Sequence, residues 1–247
     1  MANKNELQTK IDEFFSGEYE ITSGFKVPEV SDIPLGKKGK EVELTMLFID
    51  IKESTKIVDC SQRQTAAKMY KSFLWGVTQI ARSNNGHLRS FNGDGVLVVF
   101  DGKSKNTNAV TAAMQMSWFV NDILKPKLQR RFSSNQELRG LDFNFGIGID
   151  TGDILVIRGG IAGDNNNDLV WVGNATNYAV KFSSQSKTAG FKIIISGRVF
   201  TKLNDSVKYI KHNLLNFETR TPIWKNTITL VPSFDIVYGT NYQLPIR

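Results

Sequence analysis

The order of strand and helix signals predicts an α+β fold: a ferredoxin-like βαββαβ core followed by additional C-terminal strands and helices. Three observations carry this expectation. Residues 44–51 (LTMLFIDI) are nearly all apolar, as a central strand buried on both faces requires. The strand-like runs 87–91 and 96–100 flank Asn92-Gly93-Asp94-Gly95, a strong hairpin signal. Leu141, Phe143, Phe145, Ile147 and Ile149 alternate strictly, which marks a strand with one buried face.

The elements follow in order. Residues 1–38 read as an arm, packed on the domain or on a partner subunit, with a helix over 5–15 that gathers Leu7, Ile11, Phe14 and Phe15 on one side. Gly24, Pro28, Pro34 and Gly36 then break the pattern. The main domain spans 39–247. After its first strand, Ser54 and Thr55 are placed to cap a helix in which Ala66, Tyr70, Phe73, Leu74, Val77, Ile80 and Ala81 recur at helical spacing, closed by Asn85-Gly86. A second helix is expected over 107–124, with Val110, Ala113, Met114 and Ser117 on one stripe. Asp150-Thr151-Gly152-Asp153 predicts a turn from the alternating strand into a further strand at 154–157. A short strand at 169–172 leads through Gly173-Asn174 to a helix at 175–187, a strand at 191–195, and tail strands around 227–231 and 234–238.

Composition limits the function classes. The 247 residues are 40% hydrophobic, enough for a globular core. No apolar run approaches the ~20 residues that cross a bilayer, and the polar start lacks a signal-peptide segment, so a cytoplasmic protein without a membrane partner is expected. One cysteine, Cys60, excludes an intrachain disulfide, and two histidines exclude a His-based metal cluster. Cys60 reads as a small helix residue, His87 as solvent-facing and Trp171 as a packing residue. The net charge of +7 favours anionic partners. The run Lys37-Lys38-Gly39-Lys40 reads as a solvated linker, and no RNA-recognition signature, P-loop or dinucleotide fingerprint is present.

Two aspartates carry the chemistry. Asp50 ends the first strand and Asp94 sits on the hairpin tip before the third. In a ferredoxin-like sheet these strands are antiparallel neighbours, so the carboxylates meet at one end of the sheet. Two bare carboxylates 4 Å apart repel by ~4 kcal/mol at an effective dielectric of ~20. Mg²⁺ or Mn²⁺ offsets this, since both prefer hard oxygen ligands, and the Ile51 carbonyl can add another. The amides of Lys52, Glu53, Ser54 and Thr55 open a helix, an anion site beside the metals, which points to a nucleoside triphosphate.

These residues resemble a known family. LFIDIKEST is similar to the first motif of the class III nucleotide cyclases, RSFNGDGVLVVF to their second metal-binding hairpin, and FGIGIDTGDILVIRGG with VWVGNATNYAVKF to the segments holding their transition-state residues. The resemblance runs in the family's order from about 41 to 202. It implies two divalent metals per site on Asp50, Ile51 and Asp94, with attack of the ribose 3′-hydroxyl on the α-phosphate. It also implies a homodimer in which the other subunit supplies Asn177 and the residue one helical turn later. That residue is Lys181 where the family has arginine, a point charge in place of a planar fork.

The family's two purine-reading positions fall on Ser90 and Val170, and neither residue matches the adenylate or guanylate pattern. The departures resemble the bacterial uridylate and cytidylate cyclases of Pycsar anti-phage systems. On that likeness the substrate is UTP, less readily CTP, with Arg89 reaching a pyrimidine carbonyl and Phe48 packing on base or ribose; the product signals to a separate effector protein. The alternatives are an adenylate cyclase with an atypical pocket, a non-catalytic nucleotide-sensing module, and a basic nucleic-acid binder, which the family resemblance disfavours.

Overall fold

The computed structural model describes residues 3–133, 142–163, 166–214, 217–227 and 236–246. Among these, nine strands form one sheet. Its centre is two long antiparallel strands, β2 (Lys38–Lys52) and β5 (Asn144–Gly160). β4 (Gly95–Phe100) pairs antiparallel with β2, and β3 (His87–Asn92) pairs with β4. The order β5-β2-β4-β3 is the ferredoxin-like core, as expected. β7 (Ile193–Ser196) runs parallel to β5, and β11 (Val237–Thr240) and β10 (Lys225–Thr227) extend that edge. β1 (Glu20–Gly24) pairs with β2, and β6 (Asn167–Val172) with β5, at the end of the sheet away from the hairpin. β8 (Tyr209–Leu214) and β9 (Phe217–Pro222) form a separate hairpin, for which the sequence carries no clear apolar signal.

The expected turn at 150–153 is absent. β5 pairs with β2 without a break from Gly39↔Ile157 to Lys52↔Asn144. Side-chain partners make the turn-like residues acceptable within a strand. Asp150 is fully buried, accepting from Ser196 Oγ (2.6 Å) and from Arg198. Thr151 Oγ1 donates to the Leu44 carbonyl (3.0 Å). The lysine run also differs from expectation: it opens β2, with Lys38 paired to Glu20 at 2.9 Å, and is no linker.

Period-two alternation gives the sheet two apolar faces. Leu47, Ile49, Ile51, Val96, Val98 and Phe100 pack with α3 (Arg63–Ser83) and α4 (Lys105–Trp118). Met46, Phe48, Leu97, Val99 and Val156 pack with Ala175 and Ala179 of α6 (Asn174–Ala189) and with Val27 and Ile33 of the arm. The arm is thus one wall of the second core, also tied by the Val27 amide to Asp101 Oδ2 (2.8 Å). Its helix α1 (Lys4–Phe15) buries no residue.

Three helix boundaries shift. Ser54 and Thr55 lie near the start of a short helix, α2 (Ser54–Asp59), whose N-cap is Glu53; α3 is separate. Cys60 is the half-buried C-cap of α2. α4 runs through a π-helical turn (Phe119–Leu124) into α5 (Lys125–Arg131), because Pro126 falls in the first turn of α5 where a missing N–H is tolerated. The tail expectations fall partly on 228–235, outside the described residues; the strands seen are β10 and β11. His87 is half-exposed beside Asp101 (3.7 Å), and Trp171 packs on the second core.

Candidate active site

Asp50 shares the Phe48 face of β2 by strand alternation, and Asp94 occupies the two-residue turn between β3 and β4. The register Ile49↔Val96 sets that turn against the end of β2. Burial first, then the charge of Asp94, pushes the Asp50 carboxyl above the usual carboxylate range. Asp94 Oδ2 is buried and has no hydrogen-bond partner.

Lys52 is two residues beyond Asp50 on the same face. Its Nζ is 3.6 Å from Asp50 Oδ2, and its side chain is 12% exposed. Burial pulls its ammonium below the ordinary lysine range, while Asp50 and then Asp94 oppose that shift. Gly146 lets the strand lie close under α6 beside Lys52: a Cβ there would come within 2.1 Å of Ser186 Oγ, 2.4 Å of the Ser183 carbonyl oxygen and 2.7 Å of Lys52 Cε. Tyr70 of α3 braces the loop from the other side, its hydroxyl donating to the Ser54 carbonyl (3.2 Å). Burial, and next the charge of Asp94, raises its phenol.

A divalent cation fits these residues. The donors are hard carboxylate oxygens, one buried without a partner, and the excess negative charge already keeps one carboxyl hard to ionise. Asp50 and Asp94 would hold the ion. The Ile51 side chain is buried on the opposite face, so this residue can contribute only through its backbone. Glu53 adopts a left-handed conformation (φ 57°) that turns the chain sharply from β2 into α2, and its carboxylate pairs with Lys56 (2.5 Å).

Phe48, Leu97 and Ser90 are register partners across β2, β4 and β3, so they share one face. The Phe48 ring lies over Gly95, where a Cβ would come within 2.5 Å of Cζ. A register shift between Leu88 and Ser90 puts Arg89 at a bulge. Its guanidinium forks onto Glu29 of the arm (2.7 and 3.0 Å), and its Nε is buried without a hydrogen-bond partner. Arg89 holds the Glu29 carboxyl below its usual range. Glu29 and the Lys52–Asp50 pair are the site features that sequence reading misses. The Glu29 contact spans 60 positions and has no local signal.

The chain does not bring the remaining candidates to its own aspartates. Asn177 and Lys181 are exposed on α6, whose opposite side buries Ala175, Ala179, Phe182 and Ser183 against the sheet. Lys181 Nζ lies 5.6 Å from the Tyr178 ring centroid. Val170 is exposed and pairs with Ile157, which pairs with Gly39, nine positions along β2 from Phe48. That is roughly 30 Å at ~3.3 Å per residue.

Paired carboxylates thus stand at a strand end and a hairpin turn on a ferredoxin-like sheet. The model for the adenylate and guanylate cyclase catalytic domain matches residues 37–228, and the chain belongs to that family. It is a nucleotide cyclase. A uridylate cyclase of Burkholderia cepacia is 35% identical over 211 residues, covering 85% of this chain and 88% of that protein. A uridylate cyclase of Xanthomonas perforans is 36% identical over 209 residues, covering 84% and 87%. Among solved structures, the adenylyl cyclase CyaB of P. aeruginosa superposes with a TM-score of 0.62 at 20% identity, covering 85% of this chain and 97% of that one, a likeness of fold. Among the described residues no helix is long and apolar enough to cross a membrane.

Proposed function

We propose that this enzyme is a pyrimidine nucleotide cyclase that converts UTP, and less readily CTP, to the 3′,5′-cyclic monophosphate and pyrophosphate. The observation that carries the reading is the convergence of Asp50 and Asp94, with an unpartnered buried oxygen, beside the turn that opens α2. The names of the two bacterial relatives support the base assignment, as does Ser90 on the Phe48 face where a purine reader would stand.

The ribose 3′-oxygen bonds to the α-phosphorus, the bond from that phosphorus to the pyrophosphate oxygen breaks, and the 3′-hydroxyl proton leaves to solvent. Divalent ions, Mn²⁺ or Mg²⁺ and two per site, would lower the pKa of the hydroxyl and neutralise the triphosphate. Asp50, the Ile51 carbonyl and Asp94 would hold them. The Lys52–Thr55 backbone receives the phosphates. Phe48 packs on the base or ribose, and Arg89, fixed by Glu29, donates to a pyrimidine carbonyl. A second copy supplies Asn177, which orients the nucleotide, Lys181, which offsets charge on the phosphoryl oxygens, and Val170 at the far wall of the base pocket. The exposure of all three supports this division between subunits. The product serves as a second messenger for a separate effector in anti-phage defence, and the enzyme acts in the cytoplasm.

The test is incubation of the purified protein with each of the four nucleoside triphosphates and Mn²⁺, followed by mass spectrometry. Cyclic UMP should dominate. A dominant purine product overturns the base assignment. Nucleotide binding with no product overturns the catalytic reading.

A further inference from the structure

The outer side of α3 and the helix opposite it, from the π-helical turn into α5, enclose an open groove of about 850 Å³, lined by none of the candidate site residues and unused by the chemistry above. Its lining is apolar at Trp75, Phe119, Leu128 and Phe132, and Trp75 is 66% exposed. An indole that open to water on a folded surface is a common anchor for binding. Lys68 and Lys71 on one wall and Lys127 and Arg131 on the other make the rim cationic. Among the described lining residues there is no carboxylate.

We infer that this groove docks an acidic amphipathic helix from another protein. Two helical walls with an apolar floor suit a helix laid between them, its apolar anchors inward and its charges at the rim. Four cations, with no carboxylate among the described lining residues, select acidic flanks and speed encounter. A second copy of this chain is the poorer match. The chain as a whole carries a net charge of +7, and its own exposed amphipathic helix, α1, sets Lys4 and Lys10 against Glu6, Asp12 and Glu13, with Lys10 paired to Glu13 (2.7 Å), so it lacks the strongly acidic flanks that the rim selects. A lipid surface is also disfavoured, because a concave groove withholds its apolar floor from a flat bilayer.

The probe is a fluorescein-labelled peptide of about 18 residues with Leu and Phe at i, i+3, i+4 and i+7 and Glu elsewhere, titrated into the full-length protein. The controls are the same peptide with Lys for Glu, a peptide of residues 3–16, and phosphatidylglycerol vesicles. The acidic peptide should bind alone among the four, with micromolar affinity that weakens as salt rises. Trp75→Ala should weaken it by about tenfold or more, and Lys68→Glu with Lys71→Glu should turn the preference toward the Lys peptide. These side chains are at the surface, and an unchanged melting temperature verifies folding. Absence of acidic-peptide binding, equal binding of the Lys peptide, or indifference to Trp75→Ala overturns the inference. Stronger binding of the 3–16 peptide or of vesicles overturns it in favour of self-association or a membrane.

Discussion

Asp94→Asn is expected to move stability and turnover in opposite directions. The side chain sits in a two-residue turn, so its replacement removes little packing. Asp94 and burial both oppose ionisation of Asp50, and Asp94 itself keeps one buried oxygen without a hydrogen-bond partner. An amide removes the like charge. Each pKa unit of relief at Asp50 is worth about 1.4 kcal/mol. Lys52 already offsets part of the repulsion, so the gain should be about 1 kcal/mol, which raises Tm by about 2–4 °C for a chain of this size. The gain belongs to metal-free buffer. Added Mn²⁺ should raise the Tm of the parent protein and leave the variant unchanged, because the ion binds the folded state through the lost carboxylate. Cyclic-nucleotide formation should fall by about three orders of magnitude, since charge neutralisation at the phosphates contributes several kcal/mol. Calorimetry with EDTA and with Mn²⁺, and pyrophosphate release with UTP, read the two effects. A lower Tm in EDTA together with normal turnover would refute the reasoning.

Three further outcomes follow from the same geometry. Asp94→Asn and Asn177→Ala should each be inactive alone, while an equal mixture regains about one quarter of parental turnover, because half the dimers are mixed and each has one intact site; mixtures that stay inactive argue against sites shared between subunits. Asp150→Ala should cost about 3 kcal/mol, as it removes the buried acceptor shared by Ser196 Oγ and Arg198, lowering Tm by about 6–12 °C in thermal melts. Glu43 contacts Lys202 (2.6 Å) and Lys105 (3.4 Å), and its carboxyl is lowered from 4.5, chiefly by the hydrogen bond from Lys202. A lowered folded-state value means the stabilisation is present above pH 4.5 and lost as pH falls through the lowered value. Glu43→Gln should therefore be less stable than the parent at pH 7, by at most about 1 kcal/mol for so exposed a pair, with the gap closing in urea titrations as pH falls through the lowered value.

What the sequence by itself determined is whatever depends on local periodicity and turn chemistry. The buried first strand, the Gly93-Asp94 hairpin and the alternation around Phe145 fixed the core order, and the core order set Asp50 beside Asp94. Only the tertiary structure decided the rest. Asp150 to Asp153 read as a turn until Ser196, Arg198, Thr45 and the Leu44 carbonyl supply lateral partners that let one strand continue. The arm reads as separate because Pro and Gly interrupt its pattern, yet Val27 and Ile33 fill the second core. Glu29 on Arg89 is a contact between residues 60 positions apart, where sequence spacing carries no information, and strand alternation puts Lys52 on the face of Asp50 without showing that burial holds the two together. Short-range spacing specifies which backbone shape a segment prefers; lateral packing and charge pairing decide which side chains meet.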